Sequence, residues 1–171
     1  MNQATCHCAK PAVTDFSHLG PLCRACFVDV IQKRCRKALK DAGWLEPGQK
    51  VHIVEDSEAL SMLFKQVVKG LPLDYVSREQ AEIILVGKTA DDEAEEFVDK
   101  LFAGRLMPEN TAVNLLANIS TPELEKYCEL EGINSTAKPK SELRTRLDAL
   151  EKRYPGTYFA LQKSQSSFRK G

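Results

Sequence analysis

This 171-residue sequence has no long apolar run and no excess of charge of either sign. Nowhere do about 18 apolar residues follow one another, and the start MNQATCHCAK has no apolar signal-peptide core. We therefore expect neither a membrane span nor a secretory leader, and a cytoplasmic location. Lys plus Arg number 24, as do Asp plus Glu, so the net charge is zero. This balance excludes a uniformly basic nucleic-acid coat and an acidic tail, and it leaves only local patches of charge.

Four of the six cysteines form two pairs near the N-terminus, in the order C-x-C, fourteen residues, C-x-x-C. In a reducing compartment, a spaced cluster of thiols indicates metal ligation before disulfide formation. Four thiolates complete a tetrahedral Zn²⁺ site with no position open to water or substrate, so the predicted zinc is structural. Alternatives are a histidine, His7 or His18, in place of one thiol, a redox-active pair, and cysteines without metal. The predicted ligands are Cys6, Cys8, Cys23 and Cys26. The other two cysteines, Cys35 and Cys128, fall at helical positions and are predicted to be buried small apolar side chains.

Beyond a loop-rich knuckle at 1–20, the apolar pattern predicts alternating strands and helices. The first helix carries Pro21 in its first turn. Continuously apolar strands that alternate with helices indicate a parallel sheet covered by helices, hence an α/β fold. We divide the chain into a zinc knuckle with a basic helix at 1–43 and an α/β domain with C-terminal helices at 44–171. The predicted strands are 50–54, 81–87 and, as a further candidate, 73–76; the predicted helices are 21–42, 57–70, 91–104, 121–131, 138–154 and a short one ending near 168, while 107–120 is ambiguous.

The junction between the first sheet strand and its helix, VEDSEALS at 54–61, is where a parallel sheet places a phosphate cradle. It contains no glycine, and the carboxylates of Glu55, Asp56 and Glu58 would repel ATP phosphate. We interpret them as partners of the helix dipole, with Ser57 as the N-cap. The acidic stretch at 91–96 has the same interpretation, with magnesium binding as the alternative.

Basic residues concentrate in the first helix and around residue 140. In a neutral protein such local stretches can bind RNA phosphates, although on charge alone a solvated helix face is the better interpretation. The candidate RNA-binding residues are Lys33, Arg34, Arg36, Lys37, Lys40, Lys138, Lys140 and Arg144.

Three blocks of this chain stand in the same order as in a known family. They are the cysteine knuckle with LCRACFVDVIQKRCRKAL, then ILVGKTADDEAEEFVDKLFAGR, and finally ISTPELEKYCELEGI with RTRLDALEKRYPGTY. Together they resemble the PP-loop tRNA wobble-uridine 2-thiolation family, whose enzymes activate tRNA with ATP before sulfur insertion. The resemblance implies an abridged PP-loop sheet of the Rossmann type (adenine nucleotide α-hydrolase-like) behind the zinc knuckle.

The departures from the family pattern all concern chemistry. Catalytic relatives carry S-G-G-x-D-S after the first strand, whereas Asp56 to Ser61 read DSEALS here. Only Leu71 to Gln80 stand where those relatives place a central catalytic C-x-x-C. The family's G-H pair has become Gly87-Lys88, and its C-terminal zinc cysteines are absent. This pattern is similar to the non-catalytic subunit of the cytoplasmic tRNA 2-thiolation heterodimer.

The resemblance therefore implies a subunit without catalysis of its own that pairs with an active PP-loop ATPase subunit, binds tRNA and stabilises the complex. An abridged sheet is expected to leave an apolar edge that a second subunit covers, so we expect a homo- or hetero-oligomer. A free-standing zinc-knuckle nucleic-acid-binding protein is one alternative. The other is an active ATP-dependent tRNA-modifying enzyme with an atypical site built from Ser57, Ser61, Lys88, Asp91 and Asp92.

Overall fold

The computed structural model describes residues 4–43, 45–54, 57–105, 112–134 and 139–168. Across these ranges a parallel sheet of four strands has the order β4-β3-β5-β6, and a separate antiparallel hairpin pairs β1 with β2. The strands are β1 (Thr14–Phe16), β2 (Gly20–Leu22), β3 (Lys50–Ile53), β4 (Asp74–Tyr75), β5 (Ile83–Val86) and β6 (Val113–Asn114). The helices are α1 (Arg24–Asp41), α2 (Glu58–Val67), α3 (Ala90–Phe102), α4 (Thr121–Glu131), α5 (Glu142–Arg153) and α6 (Thr157–Phe168).

The strand order decides where a ligand crevice lies. β3 pairs in parallel with both β4 and β5, and β5 pairs with β6. The chain leaves β3 through α2 toward one edge of the sheet and leaves β5 through α3 toward the other. Right-handed crossovers in opposite directions place α2 and α3 on opposite faces. In such a sheet the ligand crevice lies outside the carboxyl ends of β3 and β5, where the order reverses. The predicted α/β class with a parallel sheet is confirmed.

The N-terminal region differs from the sequence prediction in one respect. Residues 14–22, predicted as loop and helix start, form the β1–β2 hairpin, in which Thr14 is opposite Leu22. Pro21 therefore lies in β2, and α1 begins at Arg24 with Cys23 as its N-cap. Strands of three residues are too short to show an alternation that could be recognised in the sequence.

Elsewhere the predicted order of elements is confirmed and only the ends shift. The Oγ of Ser57 accepts a hydrogen bond from the Leu60 amide at 3.3 Å and caps α2. The candidate strand at 73–76 contains β4, and the ambiguous segment contributes β6. Residues 107–111 of that segment lie outside the described ranges. Gly132 ends α4 with a φ of 70°, which a glycine adopts without strain.

The main core lies between the sheet and the helices α1, α2 and α4, and a smaller cluster joins α3, α5 and α6. Cys35 and Cys128 belong to the main core, as predicted, and are 0% and 2% exposed. Burial raises the pKa of Cys35 to about 12, so this thiol is inert at neutral pH. Cys6 and Cys23 belong to the same cluster. The division of the chain at residue 43 stays a prediction. None of the described helices has the length and apolar composition that a membrane span requires.

A buried carboxylate ties the hairpin to the helices. Glu123, 0% exposed, accepts hydrogen bonds from Arg34 at 2.8 Å and from the Ser120 amide at 2.8 Å, and lies 2.9 Å from His18 Nε2. Burial alone would raise the pKa of Glu123, but the Ser120 amide and the charge of Arg34 outweigh burial and lower it below 4.5. The ionised carboxylate therefore holds α1, α4 and the β1–β2 turn together.

Replacing Glu123 with Ala is expected to lower the free energy of unfolding by about 3 kcal/mol, because the Ser120 amide and the Arg34 guanidinium lose their acceptor. Urea denaturation monitored by circular dichroism measures the effect. Because the pKa of Glu123 is lowered on folding, its contribution is complete above pH 4.5 and is lost as the pH falls through the folded pKa. The exposed Glu125→Ala variant on the same helix is the control and should be nearly unchanged. Equal losses in both variants would contradict the role of Glu123.

Candidate metal centre and ligand crevice

Four cysteine side chains converge where the N-terminal loop meets the start of α1. The Sγ atoms of Cys6, Cys8, Cys23 and Cys26 all lie within 4.8 Å of one another. Cys8 Sγ is 3.6 Å from Cys6 Sγ and 3.5 Å from Cys23 Sγ. Cys6 and Cys23 are buried, whereas Cys8 is exposed. Four soft donors around one point can hold a metal ion, so the predicted grouping of these cysteines is confirmed.

The local backbone explains why the sulfurs meet. Cys23 caps α1 and Cys26 lies in its first turn, so their side chains lie at the same end of the helix. Cys6 and Cys8 flank a tight turn in which the Ala9 amide donates to the Cys6 carbonyl at 2.8 Å and the Cys6 amide donates to the Lys10 carbonyl at 2.9 Å. Ala9 adopts a φ of 63° there, a conformation uncommon outside glycine. The turn directs two cysteines that are separated by one residue toward a common centre.

Backbone amides also favour the thiolate form of the buried cysteines. The amide of Cys8 donates to the Cys6 sulfur and lowers the pKa of Cys6 to about 6, and the amide of Cys26 lowers the pKa of Cys23. The neighbouring sulfurs, first that of Cys23, raise the pKa of Cys26 to about 12. Thiolates are the metal-binding form, and a cation relieves the repulsion among them. The electrostatics of the cluster therefore suit a bound metal ion.

The two candidate histidine ligands lie outside the centre of the cluster. The Nδ1 of His7 is 3.6 Å from Cys6 Sγ and its Nε2 is 3.7 Å from Cys26 Sγ, so the ring contacts two sulfurs from one side. His18 is bound to Glu123 instead. The geometry favours the set of four thiols.

Among the described residues, several side chains of the protein lie at the crevice outside β3 and β5. Leu60 is 0% exposed, and a Cβ added at Gly87 would lie 3.0 Å from its Cδ2. The Lys88 amide donates to Asn114 Oδ1 at 3.0 Å, and Asn114 Nδ2 donates to the Lys88 carbonyl at 2.7 Å. The Nζ of Lys88 donates to Glu96 at 2.6 Å. The polar groups at this point bind one another. Glu55 and Asp56 lie outside the described residues.

The five residues considered for an atypical ATP site each have a partner within the protein. Ser57 caps α2, and the Ser61 amide donates to the Ser57 carbonyl at 3.0 Å. Asp91 accepts a hydrogen bond from the Thr121 amide at 2.8 Å, while Asp92 accepts one from the Thr89 amide at 3.2 Å in the capping box of α3. Lys88 is paired with Glu96. Their polar groups stabilise helix ends and helix contacts.

The carboxylates of the acidic stretch at 91–96 bind other groups of the protein. Arg144 pairs with Asp91, with Asp92 at 3.2 Å and with Glu95 at 3.5 Å. Glu96 is bound by Lys88 and Lys100, and Glu93 accepts hydrogen bonds from Asn114 and Gln162. Every carboxylate of the stretch therefore has a protein partner, which argues against the magnesium alternative.

Arg144 lies inside the protein. It is 6% exposed, and its guanidinium is 5.4 Å from the centre of the Tyr158 ring in addition to its carboxylate partners. This position argues against the predicted contact of Arg144 with RNA, because the guanidinium is buried and binds side chains of α3 and α6.

The other candidate RNA-binding residues differ in accessibility. Arg34 is directed inward to Glu123 and to the Asn118 carbonyl at 3.1 Å. Lys140 is exposed and pairs with Asp148 at 2.6 Å, and Lys138 lies outside the described residues. The other candidate RNA-binding residues lie on α1, where Arg36 is half-buried. The exposed lysines there are Lys33, Lys37 and Lys40.

No family model and no curated protein matches this sequence. Among solved structures, the fold is similar to "U34-tRNA thiolase NcsA from Methanococcus maripaludis with its [4Fe-4S] cluster". The TM-score is 0.77 and the sequence identity is 15%, over 98% of this chain and 87% of that chain. At this identity the likeness shows the fold, and the predicted resemblance to a PP-loop thiolase is confirmed at that level.

Replacing Cys23 with Ser is expected to abolish stoichiometric metal binding, since a hydroxyl does not ionise at neutral pH and three thiolates leave the site open. Inductively coupled plasma mass spectrometry of the purified protein and titration with cobalt(II) measure the metal bound per chain. The control is Cys35→Ala, which removes a core thiol outside the cluster and should keep the metal. A Cys23→Ser variant with full metal content would rule out the proposed ligand set.

Replacing Arg144 with Met is expected to lower the free energy of unfolding by about 3–5 kcal/mol, because buried carboxylates would lose their cation. Arg146→Met, on the same helix, breaks only an exposed pair with Glu142 and should have little effect. Denaturant titration of both variants distinguishes them. Similar stabilities would show that the Arg144 network is dispensable.

Proposed function

We propose that this protein is a non-catalytic subunit that supports 2-thiolation of the tRNA wobble uridine by an active PP-loop ATPase partner. It contributes tRNA binding and stability of the complex, in the cytoplasm. The observation that carries the proposal is a thiolase-like fold in which the buried Leu60 packs against Gly87 at the ligand crevice. The solved neighbour is a U34-tRNA thiolase. A fold of that type with an apolar side chain at the crevice is suited to support a partner's reaction.

The buried Leu60 at the crevice is a physical obstacle to ATP. A phosphate needs backbone N–H groups that point at it, and glycines permit its close approach. Here Leu60 stands where catalytic relatives carry the aspartate of S-G-G-x-D-S, and it packs on Gly87. Admitting a triphosphate beside Gly87 would require moving this buried leucine.

The cysteines support the same conclusion for sulfur transfer. A sulfur carrier needs an accessible thiolate outside a closed metal site. Four cysteines are gathered in the cluster, and the other two, Cys35 and Cys128, are buried in the core. Burial raises the pKa of both core thiols. No cysteine of the chain is placed to carry sulfur.

We infer that the cluster holds zinc. The solved neighbour carries a [4Fe-4S] cluster, in which cysteines bind separate irons at the corners of a cube and their sulfurs stand further apart than around one ion. With Zn–S bonds of about 2.3 Å, a tetrahedral zinc site holds its sulfurs about 3.8 Å apart. The observed separations of 3.5 and 3.6 Å, and the limit of 4.8 Å, fit a single ion. Zinc with four thiolates supplies a structural cross-link between the N-terminal loop and α1.

Exposed apolar side chains support the expectation of a partner. Tyr75, on the edge strand β4, is 52% exposed, and Phe102, at the end of α3, is 82% exposed. Edge strands and large exposed apolar side chains are commonly covered by another subunit. We propose that the active PP-loop subunit covers them, with self-association as the other outcome.

The proposal is tested by deleting the gene and measuring wobble 2-thiouridine in bulk tRNA by liquid chromatography and mass spectrometry. We expect 2-thiouridine to fall and the wild-type gene to restore it. The tagged protein should recover an S-G-G-x-D-S-bearing PP-loop protein and tRNA from its own cells. Unchanged 2-thiouridine in the deletion strain would overturn the proposal and favour a free-standing nucleic-acid-binding protein.

Calorimetry of the isolated protein separates the subunit from the active-enzyme alternative. We expect no ATP binding at cellular ATP concentrations, because Leu60 packs against Gly87 at the crevice and no glycine-rich cradle follows β3. The recovered active partner is the matched control and should bind ATP. Stoichiometric ATP binding by this chain alone would show that it has an active site of its own.

A further inference from the structure

The basic surface of α1 continues onto a second helix. α2 carries Lys65 in its last turn, and Lys69 lies in the turn that follows α2. Both lysines are exposed, and neither belongs to the two basic stretches that stand out in the sequence. Their position next to α1 arises only in the folded chain.

A chain of hydrogen bonds places the two sets of cations side by side. Arg36 donates to Gln32 Oε1 at 3.2 Å, and Gln32 Nε2 donates across the helix contact to Gln66 Oε1 at 2.9 Å. Lys40 is four residues beyond Arg36 on α1, a spacing that places both on one side of the helix. On the other side of the contact, Lys65 precedes Gln66 in α2 and Lys69 follows it in the turn after α2. Cations from both segments therefore lie close to the contact between Gln32 and Gln66.

The surface has charge of one sign. Residues 32–40 and 59–70 contain no Asp or Glu. Lys33 pairs with Asp29 at 2.7 Å, but both side chains are more than half exposed, so this pair offsets little. On α4 and before α5, by contrast, Lys126 and Lys140 are held by neighbouring carboxylates. The cations of the surface are Lys33, Arg36, Lys37, Lys40, Lys65 and Lys69.

We infer that this α1–α2 surface binds the phosphate backbone of RNA, with Lys65 and Lys69 as contacts; the inference rests on the proposed role in tRNA thiolation. Lysines about one helical turn apart form rows of point charges that suit successive phosphates. The large exposed apolar side chains of the described residues lie outside α1 and α2, which argues against a lipid surface. Recognition of charge without base contacts fits tRNAs of different sequence.

Lys40 and Lys65 also lie in the last turns of their helices, where a lysine stabilises the helix dipole. A dipole role changes stability and leaves RNA affinity unaltered. A phosphate contact changes affinity and its dependence on salt, so the two roles have different readouts.

The test is the double variant Lys65→Glu/Lys69→Glu of the full chain, titrated against fluorescently labelled tRNA by anisotropy at several salt concentrations. We expect the affinity to fall at least tenfold. The slope of log K against log salt should decrease in magnitude by about 1.5, since each lost phosphate contact removes about 0.7 to 0.9. The matched control is Arg105→Glu/Lys152→Glu, which changes the net charge equally at the corresponding places, after α3 and in the last turn of α5.

An unchanged affinity of the Lys65/Lys69 variant, or an equal loss in the control, would overturn the inference. So would failure of the wild-type protein to bind tRNA at low salt. Competition by polyglutamate as effective as that by RNA would assign the surface to an acidic protein instead. Melting temperatures of both variants identify any loss that comes from unfolding.

This inference and the proposed function fail independently. Anisotropy with purified components measures the surface alone, whereas 2-thiouridine in the deletion strain measures the function. If the deletion strain loses 2-thiouridine but the Lys65/Lys69 variant binds tRNA with unchanged affinity, the inferred RNA surface is wrong and the subunit role stands. If the surface binds tRNA as expected but 2-thiouridine is normal in the deletion strain, the subunit role is wrong and the inferred RNA surface stands.

Discussion

The contact between Arg34 and the buried carboxylate of Glu123 is the constraint on which the N-terminal half of the structure depends. It sets the rotation of α1 about its axis, because a guanidinium bound to a fully buried acid cannot turn toward solvent without leaving a charge unpaired. The metal cluster follows from this orientation, since α1 begins with Cys23 and Cys26. The outward direction of Lys33, Lys37 and Lys40 follows as well. One buried ion pair therefore links the cysteine knuckle, the core and the basic surface.

Residues at the starts of α2 and α3 have structural roles here. Asp91 and Asp92 hold α3 against α5 through Arg144, so they stabilise the fold. Leu60, in the first turn of α2, also stabilises the protein, because it buries apolar surface against Gly87.

Particular residues show how far sequence reasoning reaches. The four cysteines could be predicted as one site because their pairs are short in sequence and metal-binding chemistry needs thiols at such spacings. In the sequence, Arg34 and Arg144 are basic helix residues like their neighbours Lys33 and Arg146. In the structure, only Arg34 and Arg144 of these four are bound by buried carboxylates. Asn114 hydrogen-bonds the backbone amide and carbonyl of Lys88 at the crevice. This role could not be predicted from the sequence, because a single amide side chain in a short strand matches no pattern.

The sequence by itself determined the α/β class, the order of the helices and of β3, β4 and β5, the cysteine cluster and the absence of a glycine-rich cradle. Each of these depends on residues close together in the chain, where periodicity and spacing are direct consequences of backbone geometry. Only the tertiary structure decided the β1–β2 hairpin, which cations face solvent, that Leu60 packs against Gly87 at the crevice, and that Lys65 and Lys69 join the surface of α1. Apart from the hairpin, whose strands are too short to show a pattern, those properties depend on contacts between distant segments, which the packing of helices on the sheet creates.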